Sequence, residues 1–478
     1  MKTVDHVYIS GKFTVPQGSE IMPLINPSTR QVIGQVRLGD QHDTRLAIAA
    51  AKTAYQTFSR SGKAERMLYL QRLHDVVAAR SAELIDTMVE EYGGPLAISQ
   101  GTTRRAANGF LQTRKLLESF EFEKHIGQSK VMLEPLGVVG IITPWNANYS
   151  FVCGKLATAI AAGSTAVIKP SELSALQTQL LTECLHEADL PPGLFNIVNG
   201  RGDVVGEEII RHPDIAKISF TGSTAVGKHI ARGAVETMKR VNLELGGKSP
   251  NIILDDADLT RAIPLALAAA TINSGQACLA GTRLLVPENR LEQVIDLTRA
   301  AVAELKVGNP RDPGTRIGPM ASQKQYERVQ RYIRQGIEEG ARLIAGGEGH
   351  PEGLEQGYFV KPTVFANVSP NMTIAREEIF GPVLSILTYK TEDEAIEMAN
   401  DTIYGLQAYV SSADIERANR VASRIVAGRV FINGLYDDPE APFGGFKQSG
   451  LGREFGAYGL GEYLEPKAIM GYENVANT

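Results

Sequence analysis

Cys278 lies within residues 273–281, a run of small and polar residues reading Asn-Ser-Gly-Gln-Ala-Cys-Leu-Ala-Gly. Such a stretch can turn tightly and bring a sulfur close to a ligand, the setting of a thiol nucleophile; a lone cysteine is also a common small core residue. Four other segments offer chemistry that would complement a thiol. Thr143-Pro144-Trp145-Asn146 follows an apolar run and precedes a small-residue helix, so the Asn146 amide is either a neutral donor for a developing oxyanion or a helix cap. Lys169-Pro170-Ser171-Glu172 offers a cation and a carboxylate of the kind that hydrogen-bond a ribose diol, the carboxylate favouring a free 2′-hydroxyl. Phe220-Thr221-Gly222-Ser223 opens a helix whose free N–H groups and dipole suit a pyrophosphate, or is an ordinary capped turn. The usual Gly-x-Gly-x-x-Gly fingerprint has no good copy. In Leu243-Glu244-Leu245-Gly246-Gly247-Lys248 a carboxylate sits between leucines, where burial would raise its pKa into general-base range; the alternative is a solvated strand-end glutamate.

The surrounding pattern predicts elements that could hold these groups. Residues 1–40 read as short strands, and residues 43–122 take helical spacing. From residue 137 onward, buried apolar runs at 137–142, 165–168, 195–198 and 215–220 alternate with helical stretches at 150–162 and 174–188. Parallel strands need crossovers, so this alternation predicts an α/β fold with a parallel sheet that binds its ligand at the carboxyl ends of its strands. A second α/β segment spans 250–447, with helices at 262–272 and 322–339 and strands at 283–286 and 429–432. Residues 122–134 suit a hairpin leaving the main body, and 458–470 an exposed strand seeking a partner.

With 478 residues the chain predicts two or three domains, and 43% hydrophobic with 22% charged residues is globular composition. A net charge of −5 without a basic patch speaks against a nucleic-acid partner. Cys153, Cys184 and Cys278 form no Cys-x-x-Cys pair, so neither a disulfide framework nor a metal site is expected, and Cys153 and Cys184 read as core. No apolar run reaches the roughly 18 residues of a membrane span, and the first residues lack a signal-peptide core, so a cytoplasmic protein is expected.

In this order the Pro-Trp-Asn, Lys-Pro-Ser-Glu, Phe-Thr-Gly-Ser, Glu-Leu-Gly-Gly-Lys and Gly-Gln-x-Cys segments resemble the aldehyde dehydrogenase superfamily. Glu377-Glu378-Ile379-Phe380-Gly381-Pro382 and Pro442-Phe443-Gly444-Gly445-Phe446-Lys447-x-Ser-Gly extend the likeness over nearly the whole chain. The resemblance implies a Rossmann-like cofactor-binding domain over 1–118 and 137–246, and an α/β catalytic domain over 247–448. It also implies a small β oligomerisation element from 119–136 and 457–478, in a homodimer or homotetramer. By likeness, Cys278 is the nucleophile, Asn146 with the Cys278 N–H holds the oxyanion, and Glu244 activates the water that hydrolyses a thioester. Thr143, Trp145, Lys169, Ser171, Glu172, Phe220, Gly222, Ser223, Leu245, Glu378 and Phe380 are the implied cofactor residues, for NAD with NADP as an alternative.

Around the substrate the likeness is looser, because Ala147-Asn148-Tyr149 stands where many relatives have Phe-Pro after Pro-Trp-Asn. Tyr149, Phe151, Val152, Ala277, Leu279, Leu435, Tyr436 and Phe443 are expected to line the aldehyde tunnel. Their character favours an uncharged aliphatic or aromatic aldehyde, and Asp437, Asp438 and Glu440 add acidity near the mouth that disfavours anions. Two other readings stay open: an acylating dehydrogenase that passes the acyl group to coenzyme A, against which Glu244 weighs, and a silent binding or structural member of the fold.

Overall fold

A computed structural model describes residues 2–436 and 438–472. The described residues form two large sheets. The first has the order Gly450–Leu451, Arg240–Glu244, Ile215–Thr221, Val138–Ile142, Thr165–Lys169, Phe195–Ile197, Val7–Ile9, Lys12–Thr14, and its five central strands run parallel. The second has the order Arg342–Ala345, Thr363–Ala366, Val383–Tyr389, Arg283–Pro287, Pro250–Ile253, Gln407–Ser411, Arg429–Ile432, parallel except at its first edge. The expected α/β architecture with parallel sheets is therefore present.

In the first sheet the chain proceeds outward from Val138–Ile142 in one direction, and from Ile215–Thr221 through Arg240–Glu244 in the other. The reversal opens a crevice at the carboxyl ends of these neighbours, the place where open α/β sheets take ligands. From Glu244 only the segment 245–249 separates the first sheet from Pro250–Ile253 in the second. The carboxyl edge of one sheet thus hands the chain directly to the entry edge of the other.

The helix Asn148–Ala162 is the main support of this edge. Its Val152, Cys153, Leu156 and Ile160 are fully buried in a cluster with Leu70, Leu73 and Phe110 from the preceding helices. Cys184 joins the same core. The helix ends at Gly163, whose φ of +86° caps it in the left-handed conformation while its N–H reaches Ala159 O and Ile160 O. Arg66 covers this end, donating from Nη1 to Ala161 O at 3.2 Å and from Nη2 to Ser59 O at 3.3 Å.

At the chain's far end the expected extended tail is corrected. Residues Gly456–Gly461 are helical, because Gly459 and Leu460 turn inward to the core, and only Leu464–Met470 is a strand. It pairs antiparallel with Ser129–Pro135, which pairs with Glu123–Ile126, giving a separate three-stranded sheet. The stretch expected to complete this element, 473–478, lies outside the described residues. Among the described residues no helix is long and apolar enough to cross a membrane.

A side chain at Gly163 would have to adopt the left-handed conformation and place its Cβ 2.5 Å from Arg66 Nη2. Gly163→Ala is therefore expected to destabilise the protein by more than about 1 kcal/mol, read as a lower thermal midpoint. An unchanged midpoint would mean that Arg66 moves aside without loss.

Candidate active site

Glu244 is the last residue of its strand, opposite Thr221 on one side and Gly450 on the other. It is 2% exposed, and neither carboxylate oxygen has a hydrogen-bond partner. Burial, followed by the charge of Glu454, raises its pKa well above the ordinary carboxylate range, against a smaller pull from Lys155 and Arg453. A carboxylate so placed is a proton acceptor without a structural occupation.

The two glycines that follow have a steric cause. A Cβ on Gly246 would stand 2.4 Å from Glu378 Oε2, and one on Gly247 would stand 2.3 Å from the Cys278 carbonyl oxygen. Their absence lets the Glu378 carboxylate and the thiol loop both close on the backbone. Gly247 N–H donates to Glu378 Oε1 at 3.1 Å, and Ser449 Oγ donates to Gly246 O at 2.7 Å. Burial lifts Glu378 to about 7, against the Gly247 hydrogen bond and the charges of Arg328 and Lys248.

Cys278 lies beyond the helix Leu259–Thr271, on the loop entering Arg283–Pro287. It keeps some exposed area, unlike the buried Cys153 and Cys184. Desolvation pushes its thiol up to about 12, helped by the charges of Glu378 and then Glu244, while backbone N–H groups of Cys278 and Leu279 act the other way. Asn146 bonds to the same loop. Its Nδ2 donates to Gln276 O at 2.9 Å, and its own carbonyl accepts from Asn273 Nδ2 at 2.9 Å. An amide nitrogen carries two hydrogens, so one N–H of Asn146 remains for a ligand. The thiol, the Asn146 amide and the Glu244 carboxylate therefore come from the second sheet's entry loop, the turn after one strand of the first sheet, and the last residue of another.

The positions expected to hold a cofactor gather along the carboxyl edge of the first sheet. Thr143 N–H donates to Lys169 O, and Lys169 Nζ pairs with Glu172 at 3.0 Å. The ring of Phe220 lies beneath Gly222, where a Cβ would come within 2.4 Å of it. Buried Thr143 Oγ1 and Thr221 Oγ1 have no partner on this edge, as groups awaiting a polar ligand would. Leu245 is buried against the same sheet. Ser171 and Ser223 act as helix caps, their hydroxyls accepting from Leu173 N and Val226 N. Trp145 meets Phe380 edge to face, with ring centroids 5.6 Å apart at 89°. These residue types suit a dinucleotide: carboxylate and lysine for ribose, a helix start for phosphate, apolar rings for a flat base.

The aldehyde-side expectations need correction. Tyr149 and Val152 do not present a tunnel wall: both are buried in the hydrophobic core, and the Tyr149 hydroxyl donates to Leu84 O at 3.0 Å. The helical stripe that buries Cys153 and Leu156 takes them inward. Phe151 is half-buried on the same helix, and Ala277 and Leu279 flank the thiol with partial exposure. Phe443 is buried with Arg429 stacked over it and Phe455 beside it. Leu435 and Tyr436 are exposed, Tyr436 at 65%. Asp437 lies outside the described residues, and Glu440 is engaged by Lys115 at 2.7 Å.

The structure also brings up residues that the sequence reading passed over. Lys155 pairs with Glu454 and donates to Ser219 Oγ at 3.0 Å, next to Glu244. The signal was a lysine inside an otherwise apolar helix, Asn148–Ala162.

With this geometry in hand, comparison with known proteins is decisive. The sequence model of the aldehyde dehydrogenase family matches residues 13–469. The chain belongs to this family. It is 46% identical over 476 residues to 3-succinoylsemialdehyde-pyridine dehydrogenase from a Pseudomonas species, covering 99% of this chain and 100% of that protein. Among solved structures, a cysteine-to-alanine variant of aldehyde dehydrogenase C from Pseudomonas syringae, complexed with NAD+ and octanal, superposes with a TM-score of 0.97. The two are 44% identical, over 98% of this chain and 97% of that one. Betaine aldehyde dehydrogenase from Staphylococcus aureus, complexed with NAD+, gives 0.94 at 36% identity, over 97% and 94% of the two chains.

The electrostatics of the thiol yield a test in the free protein. Above its own pKa of about 7, Glu378 is charged and opposes thiolate formation. Glu378→Gln removes that charge, so the thiol pKa falls and alkylation of Cys278 by iodoacetamide accelerates at pH 8.5. Below pH 7, where Glu378 is protonated, the acceleration fades. Equal rates at both pH values would show that Glu378 does not act on the sulfur.

Proposed function

We propose that this protein oxidises an aldehyde to a carboxylic acid with NAD, through a thioester on Cys278 that water hydrolyses. The observation that carries the reading is Glu244: a buried carboxylate with two unpartnered oxygens, set beside a thiol and a free amide N–H. Water-dependent hydrolysis needs a base of this kind, whereas transfer to coenzyme A does not. The NAD+ complexes of two relatives, together with the Lys169–Glu172 pair on the strand edge, support NAD over NADP.

The steps follow from the residue types. An aldehyde carbon releases hydride only once it is tetrahedral, so Cys278 gives up its thiol proton to Glu244, which passes it on, and the thiolate adds to the carbon. Asn146 and the Cys278 backbone N–H then hold the oxyanion in a water-poor cleft, where such hydrogen bonds count for most. A nicotinamide held by Glu378 and Phe380 would supply the hydride acceptor. Collapse of the oxyanion leaves the thioester. Glu244 takes a proton from the attacking water, the tetrahedral adduct expels the thiolate, and the acid departs. Lys155 and Glu454, adjacent to Glu244, form the next members of a route for that proton away from the buried carboxylate.

Thr143, Trp145, Lys169, Glu172, Phe220, Gly222, Leu245, Glu378 and Phe380, with the helix start capped by Ser223, are assigned to the dinucleotide. Ser171 supports them as the cap of the turn carrying Glu172. Phe151, Ala277, Leu279 and Phe443 remain for the aldehyde, and their apolar character supports an uncharged aliphatic or aromatic substrate. The three-stranded sheet supports assembly into a homodimer or homotetramer, because its outer strand Glu123–Ile126 is exposed along its whole length and leaves an edge to pair.

Incubation with NAD and a series of aliphatic and aromatic aldehydes is expected to give reduced cofactor without added coenzyme A. Cys278→Ala is expected to show no turnover. Glu244→Gln is expected to release about one reduced cofactor per thiol and then slow by about 10²- to 10⁴-fold. Strict dependence on coenzyme A would establish the acylating reaction instead, and no turnover despite a modifiable thiol would establish a silent member. The deacylation step is expected to speed up with rising pH, since burial raises the pKa of Glu244 and only its deprotonated form can take the proton from water.

A further inference from the structure

Between the helix Leu259–Thr271 and Cys278 the chain makes an unusual turn. Asn273, Ser274 and Gly275 have φ of +53°, +58° and +74°, three successive residues in the left-handed region, two of them not glycine. Side chains avoid this conformation, and a run of it persists only where the surroundings over-determine it. Here each residue is held by a different part of the chain. Asn273 Nδ2 donates to Asn146 O at 2.9 Å and to Gln276 O at 3.2 Å. Ser274 Oγ accepts from Gly318 N at 2.9 Å. Gly275 packs so closely on Gly381 that a Cβ would stand 2.2 Å from its carbonyl carbon. The neighbour of Gly381 is Phe380, itself left-handed at φ +62°. Gln276, which is 1% exposed, extends the clamp, its Oε1 accepting from Ala321 N at 2.9 Å and its Nε2 reaching Tyr92 Oη at 3.3 Å.

Asn146 is pinned from both ends by this turn. Its side-chain amide donates to Gln276 O, and its main-chain carbonyl receives Asn273 Nδ2. The direction of its one remaining N–H is therefore set by how Asn273 and Gln276 sit, and Cys278 follows two residues later on the same backbone. We propose that Asn273 is a positioning residue for the oxidation: its amide bridges Asn146 and Gln276 and so fixes the spacing between the oxyanion donor and the thiol. The left-handed turn is the jig, and its contact with Gly381 registers the Phe380 side of the site to the same frame. This inference rests on the roles of Cys278 and Asn146 given above.

Three substitutions at position 273 separate the bridge from the turn. Glycine accepts the left-handed conformation but has no amide; alanine has neither virtue; aspartate tolerates the turn but sets an acceptor against two carbonyl oxygens. The measurement is the single-turnover rate of cofactor reduction in the full-length enzyme with NAD and hexanal, divided by the iodoacetamide-titratable Cys278, alongside KM for NAD and the thermal midpoint. If the amide bridge positions Asn146, Asn273→Gly slows this rate by roughly 10- to 100-fold, the scale expected for a misplacement of about 1 Å. Asn273→Ala is then at least as slow, Asn273→Asp slowest, and KM for NAD stays within about twofold in Asn273→Gly while its midpoint is retained. If Asn273→Gly reacts at the wild-type rate per thiol while Asn273→Ala does not, only the backbone turn matters and the proposal is overturned. It is overturned equally if all three keep the wild-type rate per thiol. Asn146→Ala and Cys278→Ala run beside them as controls: full activity in either would overturn the underlying mechanism, whereas their loss with an unaffected Asn273→Gly would overturn this inference alone.

Discussion

The close passage of the backbone between Leu245 and Ser249 is the constraint on which the rest of the site depends. Here the chain leaves the first sheet at Glu244 and enters the second at Pro250, and in between it runs against the Cys278 carbonyl on one side and the Glu378 carboxylate on the other. A β-carbon on Gly247 would strike the Cys278 backbone and one on Gly246 would displace the Glu378 carboxylate, so these glycines serve close approach rather than any need for a special φ. One short crossing thereby brings the Glu244 carboxylate, the thiol loop and the Glu378 carboxylate together. Those three groups come from residues more than a hundred positions apart at the extremes.

Water exclusion is the second common thread. Glu244, Glu378 and Cys278 are all shifted toward their neutral forms, and in each case burial is the largest cause. Each of the three favours its neutral form, and the Lys155–Glu454 pair stands beside Glu244. The cost of burying such groups is met by packing: the helix Asn148–Ala162 carries Lys155 among apolar neighbours, and its core face consumes Tyr149 and Val152.

Tyr149 and Val152 also show why the aldehyde side was hard to read. They were expected in a tunnel wall, but a helix turns about 100° per residue, so which residues face a ligand depends on the packing of its stripe. Which stripe faces the core depends on where the helices with Leu73 and Phe110 pack, and no local pattern gives that. The tail misled in the same way: residues 458–470 look weakly alternating, yet Leu460 folds into the core as part of a helical turn and only the later part is a strand. By contrast, the placement of Asn146 and Glu244 at strand ends and of Cys278 on a tight loop was legible, because the composition of each segment announces a strand end or a turn.

By itself the sequence determined the parallel α/β architecture, the apolar strands, the family through its ordered motifs, and the residues with reactive side chains. These depend on local periodicity and on residue chemistry, which the chain carries at every position. Tertiary structure alone decided that Glu244 has no hydrogen-bond partner, that Lys155 and Glu454 stand beside it, and that Asn273 ties Asn146 to the thiol loop through a left-handed turn. Those facts are distances between elements far apart in the chain, and they exist only once two sheets have packed edge to edge.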